Sequence, residues 1–479
     1  MKTKFLSLLL VLVASSLLGF ASVSEDQFRF ISNQDGSSVG LAQIASHQTL
    51  EYSLDGVSWG NMTTATTFSL SKDVVLYVRG KLTDNNSDTD FTQFTITGAI
   101  EARGNINYIW DYENLNAPLK ERCGWSLFKN CTGLCEVAHA TLPSMTLAYA
   151  CYQDLLFGCT NIKKSPELPA MVMEKECYRG MFVDCASLTD APCLPALKLA
   201  EQCYMDMFVR CYNLEYAPSL PADTLLPYCY NGMFVECTNL LEAPKLPALA
   251  LADHCYASMF AGCTNLASAP ALPATTLAPW CYYCMFFGCK RITASPQLPA
   301  AILTEGCYYK MFKQCSNLQK ITCLATDISA EQCLVEWVKS ISSSGTFIKH
   351  QNMSSWPSGN NGIPSGWNIN SVNIFTITWL QDDGSLIDKT MVESGQIPTH
   401  VAPTKPDTEE YTYTFVKWAP DVVPATENAT YIAIYESHKI PTALDNVNAD
   451  MRATKVLQNG QIFIFRGDKV YTVDGRLTN

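Results

Sequence analysis

The sequence is organised around cysteines that return every 26 residues, in two parallel series. The first series is Cys151, Cys177, Cys203, Cys229, Cys255, Cys281, Cys307 and Cys333, and the second is Cys159, Cys185, Cys211, Cys237, Cys263, Cys289 and Cys315. Cys123 and Cys131 begin an earlier copy, offset by 28 residues. A fixed internal period of this size is typical of stacked supersecondary units, because one unit alone cannot bury its apolar face. The sequence therefore predicts a repeat architecture.

The two halves of each repeat unit show different patterns. In the unit that begins at Cys203, one half carries apolar residues spaced by four, which favours a short amphipathic helix with an inward face: Leu199, Cys203, Met207 and Cys211. The other half, around Leu214 and Leu220, resembles the strand side of a leucine-rich repeat and is interrupted by Pro218. We therefore expect a right-handed α/β solenoid of the leucine-rich-repeat type, with about eight 26-residue turns and small all-β domains on either side.

The sequence predicts five segments in the whole chain, one of which is the repeats. Lys2 and Lys4 precede a long apolar run, so residues 1–23 are read as a secretory signal peptide. A β domain is expected over 24–112, the repeats with a C-terminal cap over 113–370, a second β domain over 371–438, and a linker and tail over 439–479. No further apolar run is long enough to cross a membrane, and no cysteine follows the signal to accept a lipid. The predicted location is the cell surface or the extracellular medium.

Charge and cysteine content narrow the chemistry. Loss of the two lysines of the signal leaves 31 basic against 45 acidic residues, a net charge of −14, which argues against nucleic acid as a partner. Twenty-one cysteines in an exported protein would ordinarily predict disulfides. Eight residues along a helix separate two cysteines by about 12 Å, however, and a disulfide needs Cα atoms within about 7 Å. We therefore expect mostly buried, reduced thiols, with disulfide bridging as the alternative.

Three segments resemble known families. The repeat CYxxMFxxCxNLxxAPxLP, across residues 113–370, resembles the BspA-like leucine-rich repeats of bacterial surface proteins. Residues 373–437 look like the internalin B-repeat, or Listeria-Bacteroides repeat, a β-grasp-like stalk module. The segment KVLQNGQIFIFRGDKVYTVDGRL is similar to the C-terminal sorting tails of exported Bacteroidetes proteins. Together the resemblances imply a surface or secreted protein that binds host matrix proteins, other bacteria or glycans.

The candidate binding site is a set of outward-facing positions in the strand half of each unit. The residue type at these positions changes from one unit to the next, whereas the inward positions keep the same residue types. The positions are Lys164, Asp190, Tyr216, Glu242, Ser268 and Lys320, with Ala294 in the same series. Tyr216 lies between two carboxylates, so it is the expected centre of a non-catalytic, adhesin-like face that binds a host protein, another cell or a glycan.

Two alternatives to binding stay open, a structural stalk without a ligand and a glycan-active enzyme that uses Asp190, Glu215 and Glu242. The six histidines lack ligand spacing, so neither a metal nor another cofactor is expected.

Overall fold

The computed structural model describes residues 24–440, 453–458, 461–466 and 468–478. The predicted signal peptide and residues 441–452 of the predicted linker and tail lie outside these ranges. The chain divides into two compact units, Met1–Val372 and Asn373–Asn479.

The elements of the first unit are β1 (Arg29–Ser32), β2 (Ser37–Gln43), β3 (Gln48–Ser53), β4 (Gly60–Asn61), β5 (Thr67–Leu70), β6 (Val75–Leu82), β7 (Gln93–Thr97), β8 (Ile100–Asn105), α1 (Tyr108–Asp111), β9 (Leu134–Glu136), β10 (Ala140–Thr141), β11 (Ala294–Leu298), β12 (Lys320–Cys323), β13 (Thr346–His350) and β14 (Asn368–Val372). Those of the second unit are β15 (Ile374–Leu380), β16 (Leu386–Glu393), β17 (Tyr411–Ala419), β18 (Ala429–Lys439), β19 (Thr454–Gln458), β20 (Gln461–Arg466) and β21 (Lys469–Thr472).

The N-terminal part of the first unit is built from two sheets. One has the strand order β10-β8-β1-β6-β3-β4, with β9 also paired to β8, and the other has the order β5-β2-β7. Every second residue of β6 is buried, which is the alternation expected of a strand with one face on the core. These sheets carry Phe28, Phe30 and Phe94 into a common core.

The half of each repeat unit that was predicted to be helical contains no helix. Its amides donate alternately within the unit and to the next unit: Met205 N–H reaches the Gln202 carbonyl at 3.2 Å, whereas Tyr204 N–H reaches the Cys229 carbonyl at 3.0 Å. Gln202 and Asp206, four residues apart, have φ of 56° and 55°. This half is therefore a series of four-residue turns.

The predicted α/β solenoid is wrong for a physical reason. A residue with positive φ at every fourth position cannot belong to an α-helix of L-residues. Apolar spacing by four also suits such turns better, because a helix has about 3.6 residues per turn and a strict spacing of four drifts around its axis. Among the described residues the structure has a single helix, α1, and small separate sheets.

The repeat units nevertheless lie against one another in register, and we call residues 123–340 the repeat stack. Residues 26 apart form parallel bridges, as in the pairs Lys164–Asp190 and Thr224–Ala250. Two files of buried rings run along the stack, with centroids of neighbouring rings 5.7–6.2 Å apart for tyrosine and 5.4–5.8 Å apart for phenylalanine. The files are Tyr152, Tyr178, Tyr204, Tyr230, Tyr256, Tyr282 and Tyr308, and Phe182, Phe208, Phe234, Phe260, Phe286 and Phe312.

Both ends of the repeat stack are covered by other parts of the first unit. Phe128, in the first repeat unit, packs against Phe28 at 6.2 Å and Phe94 at 5.5 Å between ring centroids, so the core of the N-terminal sheets continues into the stack. At the other end, Trp337 stacks on Trp356 at 6.1 Å. The parallel sheet β11-β12-β13-β14 extends the strand side over these last units.

The second unit contains two further sheets. In the order β16-β15-β18-β17, the central strands β15 and β18 run parallel and the outer pairs antiparallel. Trp379, Trp418 and Tyr431 form its small core. Strands β19, β20 and β21 form an antiparallel sheet of their own.

Candidate binding face

The six residues predicted to bind a partner lie in one row, which we call the strand-side row. All six side chains are exposed, and they occupy the same position of successive repeat units: Lys164, Asp190, Tyr216, Glu242, Ser268 and Lys320. Parallel bridges join Lys164 to Asp190 and Tyr216 to Glu242, and Lys320 of β12 pairs with Ala294 of β11. The period of the sequence was therefore sufficient to place these side chains side by side.

The centre of the row is an aromatic residue beside carboxylates. The Tyr216 side chain is 59% exposed. Glu242 is its bridge partner, and Asp190 occupies the equivalent position of the preceding unit. The Asp190 carboxylate lies 3.6 Å from the Lys164 ammonium, an exposed ion pair worth less than about 1 kcal/mol. The charge of Lys164 is thus balanced within the row.

A shallow apolar groove adjoins the row beside Glu242. It has a volume of about 340 Å³ and is lined by prolines of two successive units. Pro244 and Pro247 form one side, Pro270 and Pro273 form the other, and Lys245 also lines the groove. The Ala-Pro-x-Leu-Pro segment of the repeat produces this groove, because proline side chains 26 residues apart lie next to each other. Reasoning from the sequence placed the prolines but did not predict the groove.

A second row of aromatic side chains, on the turn side, was also missed. Tyr228, His254 and Trp280 stack with centroids 4.5 and 5.9 Å apart, and each ring is half-buried. Their φ values are 58°, 52° and 54°, a conformation that costs a residue with a side chain about 1–2 kcal/mol. The sequence feature that could have identified this row is its position, because each of the three residues immediately precedes a cysteine of the first series.

The cysteines serve as packing and hydrogen-bonding groups. All 21 are free thiols, and only Cys135 and Cys193 are not buried. Each thiol of the second series donates to a backbone carbonyl of the preceding unit, as Cys237 does to Phe208 at 3.0 Å. Burial raises the pKa of Cys237 to about 12, so the reactive thiolate is scarce at neutral pH. Burial also raises the pKa of Cys284, which lies three residues after Cys281.

Two further absences hold for the part of the chain that the structure describes. No three histidine, cysteine or carboxylate side chains there come together as metal ligands would. Nor does any helix in those ranges have the length and apolar character needed to cross a bilayer.

Comparison with known proteins adds no identification, since no protein-family model and no curated protein matches this sequence. The resemblances to BspA-like repeats, to the internalin B-repeat and to sorting tails therefore stay predictions.

Proposed function

We propose that the protein is a non-catalytic, exported binding protein that holds an extracellular protein through the strand-side row. The observation that carries this proposal is the contrast between the two sides of the same backbone. Inward positions are almost uniform along the stack, whereas the row changes from lysine to aspartate, tyrosine, glutamate and serine. A uniform core lets surface residues vary without loss of the fold, which is how repeat proteins acquire binding surfaces.

The partner is expected to present a basic or neutral segment with an apolar side chain. Glu215 and Glu242 place negative charge beside Tyr216, and Tyr is a residue type enriched at interface hot spots. The proline groove next to Glu242 can receive an apolar side chain of the partner, in line with the general role of apolar pockets at the centre of interfaces. We infer export from the apolar run at the N-terminus, whose residues lie outside the described ranges.

The test is binding of the chain without its signal to an array of extracellular-matrix proteins. A variant with Asp190→Ala, Tyr216→Ala and Glu242→Ala is compared with a control that carries three substitutions on the other bridged row of the stack: Lys198→Ala, Thr224→Ala and Thr276→Ala. Loss of a hot spot worth about 2 kcal/mol weakens binding about 30-fold. We expect that loss in the first variant only.

Binding that survives in the first variant would remove the strand-side row from the proposal. Absence of binding to every protein on the array would favour the structural alternative, a stalk without a ligand.

A further inference from the structure

A cavity of about 960 Å³ lies where the N-terminal sheets meet the first repeat units. The end of β6, helix α1 and the segment 114–121 line it on one side, and Leu147, Tyr149 and Glu174 line it on the other. A second cavity of about 460 Å³ adjoins it and shares Asn107 and Leu119. Sites for small ligands commonly occupy about 300–1,000 Å³, so this cavity has the size of a ligand site.

Asn107 lines this cavity and has a buried side-chain oxygen without a hydrogen-bond partner in the part of the chain that the structure describes. Its side chain is 94% buried, being only 6% exposed, and it lines both cavities. The Nδ2 amide donates to the Leu115 carbonyl at 2.8 Å, but the Oδ1 atom has no hydrogen-bond partner within the described residues. A buried acceptor left unpaired costs about 1–3 kcal/mol.

The position of Asn107 makes this arrangement informative. Asn107 is the residue at the N-terminal cap of α1, where asparagine is ordinarily found because its side chain accepts a hydrogen bond from the first helical amides. Here the side chain makes no such bond. The amide is held instead against the segment 114–121, beside the cavity, so helix capping does not account for it.

The rest of the lining combines paired donors and acceptors with apolar surface. Asn85 and Asn114 add two further amide groups. The Asn85 oxygen already accepts from the Glu121 amide at 3.1 Å, whereas the Asn114 side chain can donate and accept at adjacent atoms. Leu119 and the ring of Tyr149 supply apolar surface in the same cavity. Vicinal hydroxyl groups need donors and acceptors in pairs, and the C–H face of a sugar ring packs on aromatic and aliphatic side chains.

The charged residues of the lining determine whether the cavity favours neutral or acidic sugars. Asp111, Glu121 and Glu174 line the cavity together with Lys81 and Lys120. The Lys81 ammonium forms an ion pair with a further carboxylate outside the lining. The negative balance disfavours acidic ligands.

We propose that this cavity is a binding site for a short neutral oligosaccharide. Its lining contains no residue of the strand-side row, so it is a site additional to the proposed protein-binding face. Either of the two sites can therefore fail its test without the other.

The experiment uses the whole chain without its signal and a glycan array. The array carries neutral disaccharides to tetrasaccharides of glucose, galactose, mannose and N-acetylglucosamine, and the same chains ending in sialic or uronic acid. The tightest neutral ligand is then titrated by calorimetry into the parent protein and into Asn107→Ala, Asn114→Ala and the control Asn213→Ala, an exposed asparagine of the repeat stack. We expect at least a tenfold loss of affinity in the first two variants and none in the control.

Several results would overturn the proposal. These are the absence of any neutral ligand with a dissociation constant below about 10 mM, a preference for the acidic chains, and unchanged affinity in the folded Asn107→Ala variant. If circular dichroism shows that Asn107→Ala does not fold, Asn114→Ala decides the question, because no side-chain hydrogen bond of Asn114 supports the fold among the described contacts. Loss of glycan binding in the strand-side triple variant would also count against the cavity.

Discussion

Substitution of Gly306 by alanine is expected to destabilise the repeat stack, and Gly288→Ala is expected to do so less. Both glycines lie in the half of the unit that forms four-residue turns, with φ of 56° and 72°. In the helix that the apolar spacing first indicated, the same substitutions would stabilise the protein by up to about 1 kcal/mol each. The two structures therefore predict effects of opposite sign.

The magnitudes follow from the surroundings of the two glycines. A Cβ atom on Gly288 would meet no atom closer than 3.9 Å, so only the left-handed φ acts, at about 1–2 kcal/mol. Alanine also lowers the conformational entropy of the unfolded chain, which stabilises the folded state by about 0.4–1 kcal/mol. The net loss in the free energy of unfolding is therefore about 1 kcal/mol. A Cβ atom on Gly306 would overlap the indole of Trp280, a rigid group that must move. Overpacking of this kind adds about 1–3 kcal/mol, for a net loss of about 2–4 kcal/mol.

The assay is urea unfolding followed by circular dichroism, with hydrogen exchange measured on peptides that contain Trp280 or Gly306. We expect Gly306→Ala to lower the unfolding midpoint more than Gly288→Ala and to raise exchange locally in both peptides. If Gly288→Ala raises the midpoint, the four-residue turns are refuted and a helix must be reconsidered.

Two further predictions concern the thiols and an acidic side chain. Cys193 is the exposed cysteine of the 21, so native protein should react quickly with a thiol reagent at that position, more slowly at Cys135, and at the buried thiols only after unfolding. Fast reaction of Cys237 in the native protein would contradict its burial and its hydrogen bond to the Phe208 carbonyl. The ammonium groups of Lys313 and Lys339 lower the pKa of Glu336 to about 2 from 4.5, so its stabilising effect is full above pH 4.5 and is lost as the pH falls toward 2. The difference in unfolding free energy between the parent and Glu336→Gln should shrink over that range, and a constant difference would argue against the ion pairs.

Part of this architecture was accessible from the sequence because it depends on residues that repeat. The tyrosine and phenylalanine files and the strand-side row follow from the 26-residue period, since equivalent residues of stacked units become neighbours. Tyr216 could be placed beside Glu242 on that ground alone. The cavity at Asn107 could not, because most of its lining comes from residues 81–121, which precede the repeat stack.

The amino-acid sequence was sufficient to establish the period, the inward side chains and the register of the exposed row, since a residue type that recurs every 26 positions must meet its own kind when units stack. The conformation of the backbone between those positions depended on tertiary contacts. Apolar residues spaced by four are compatible with both a helix and four-residue turns. The two structures differ in which carbonyl groups accept hydrogen bonds from the backbone amides. Tyr204 N–H bonds to Cys229 in the next unit rather than to a carbonyl four residues before it. A hydrogen bond to a residue 25 positions away produces no pattern in the spacing of neighbouring residues. The four-residue turns were therefore determined by the stacking of the units.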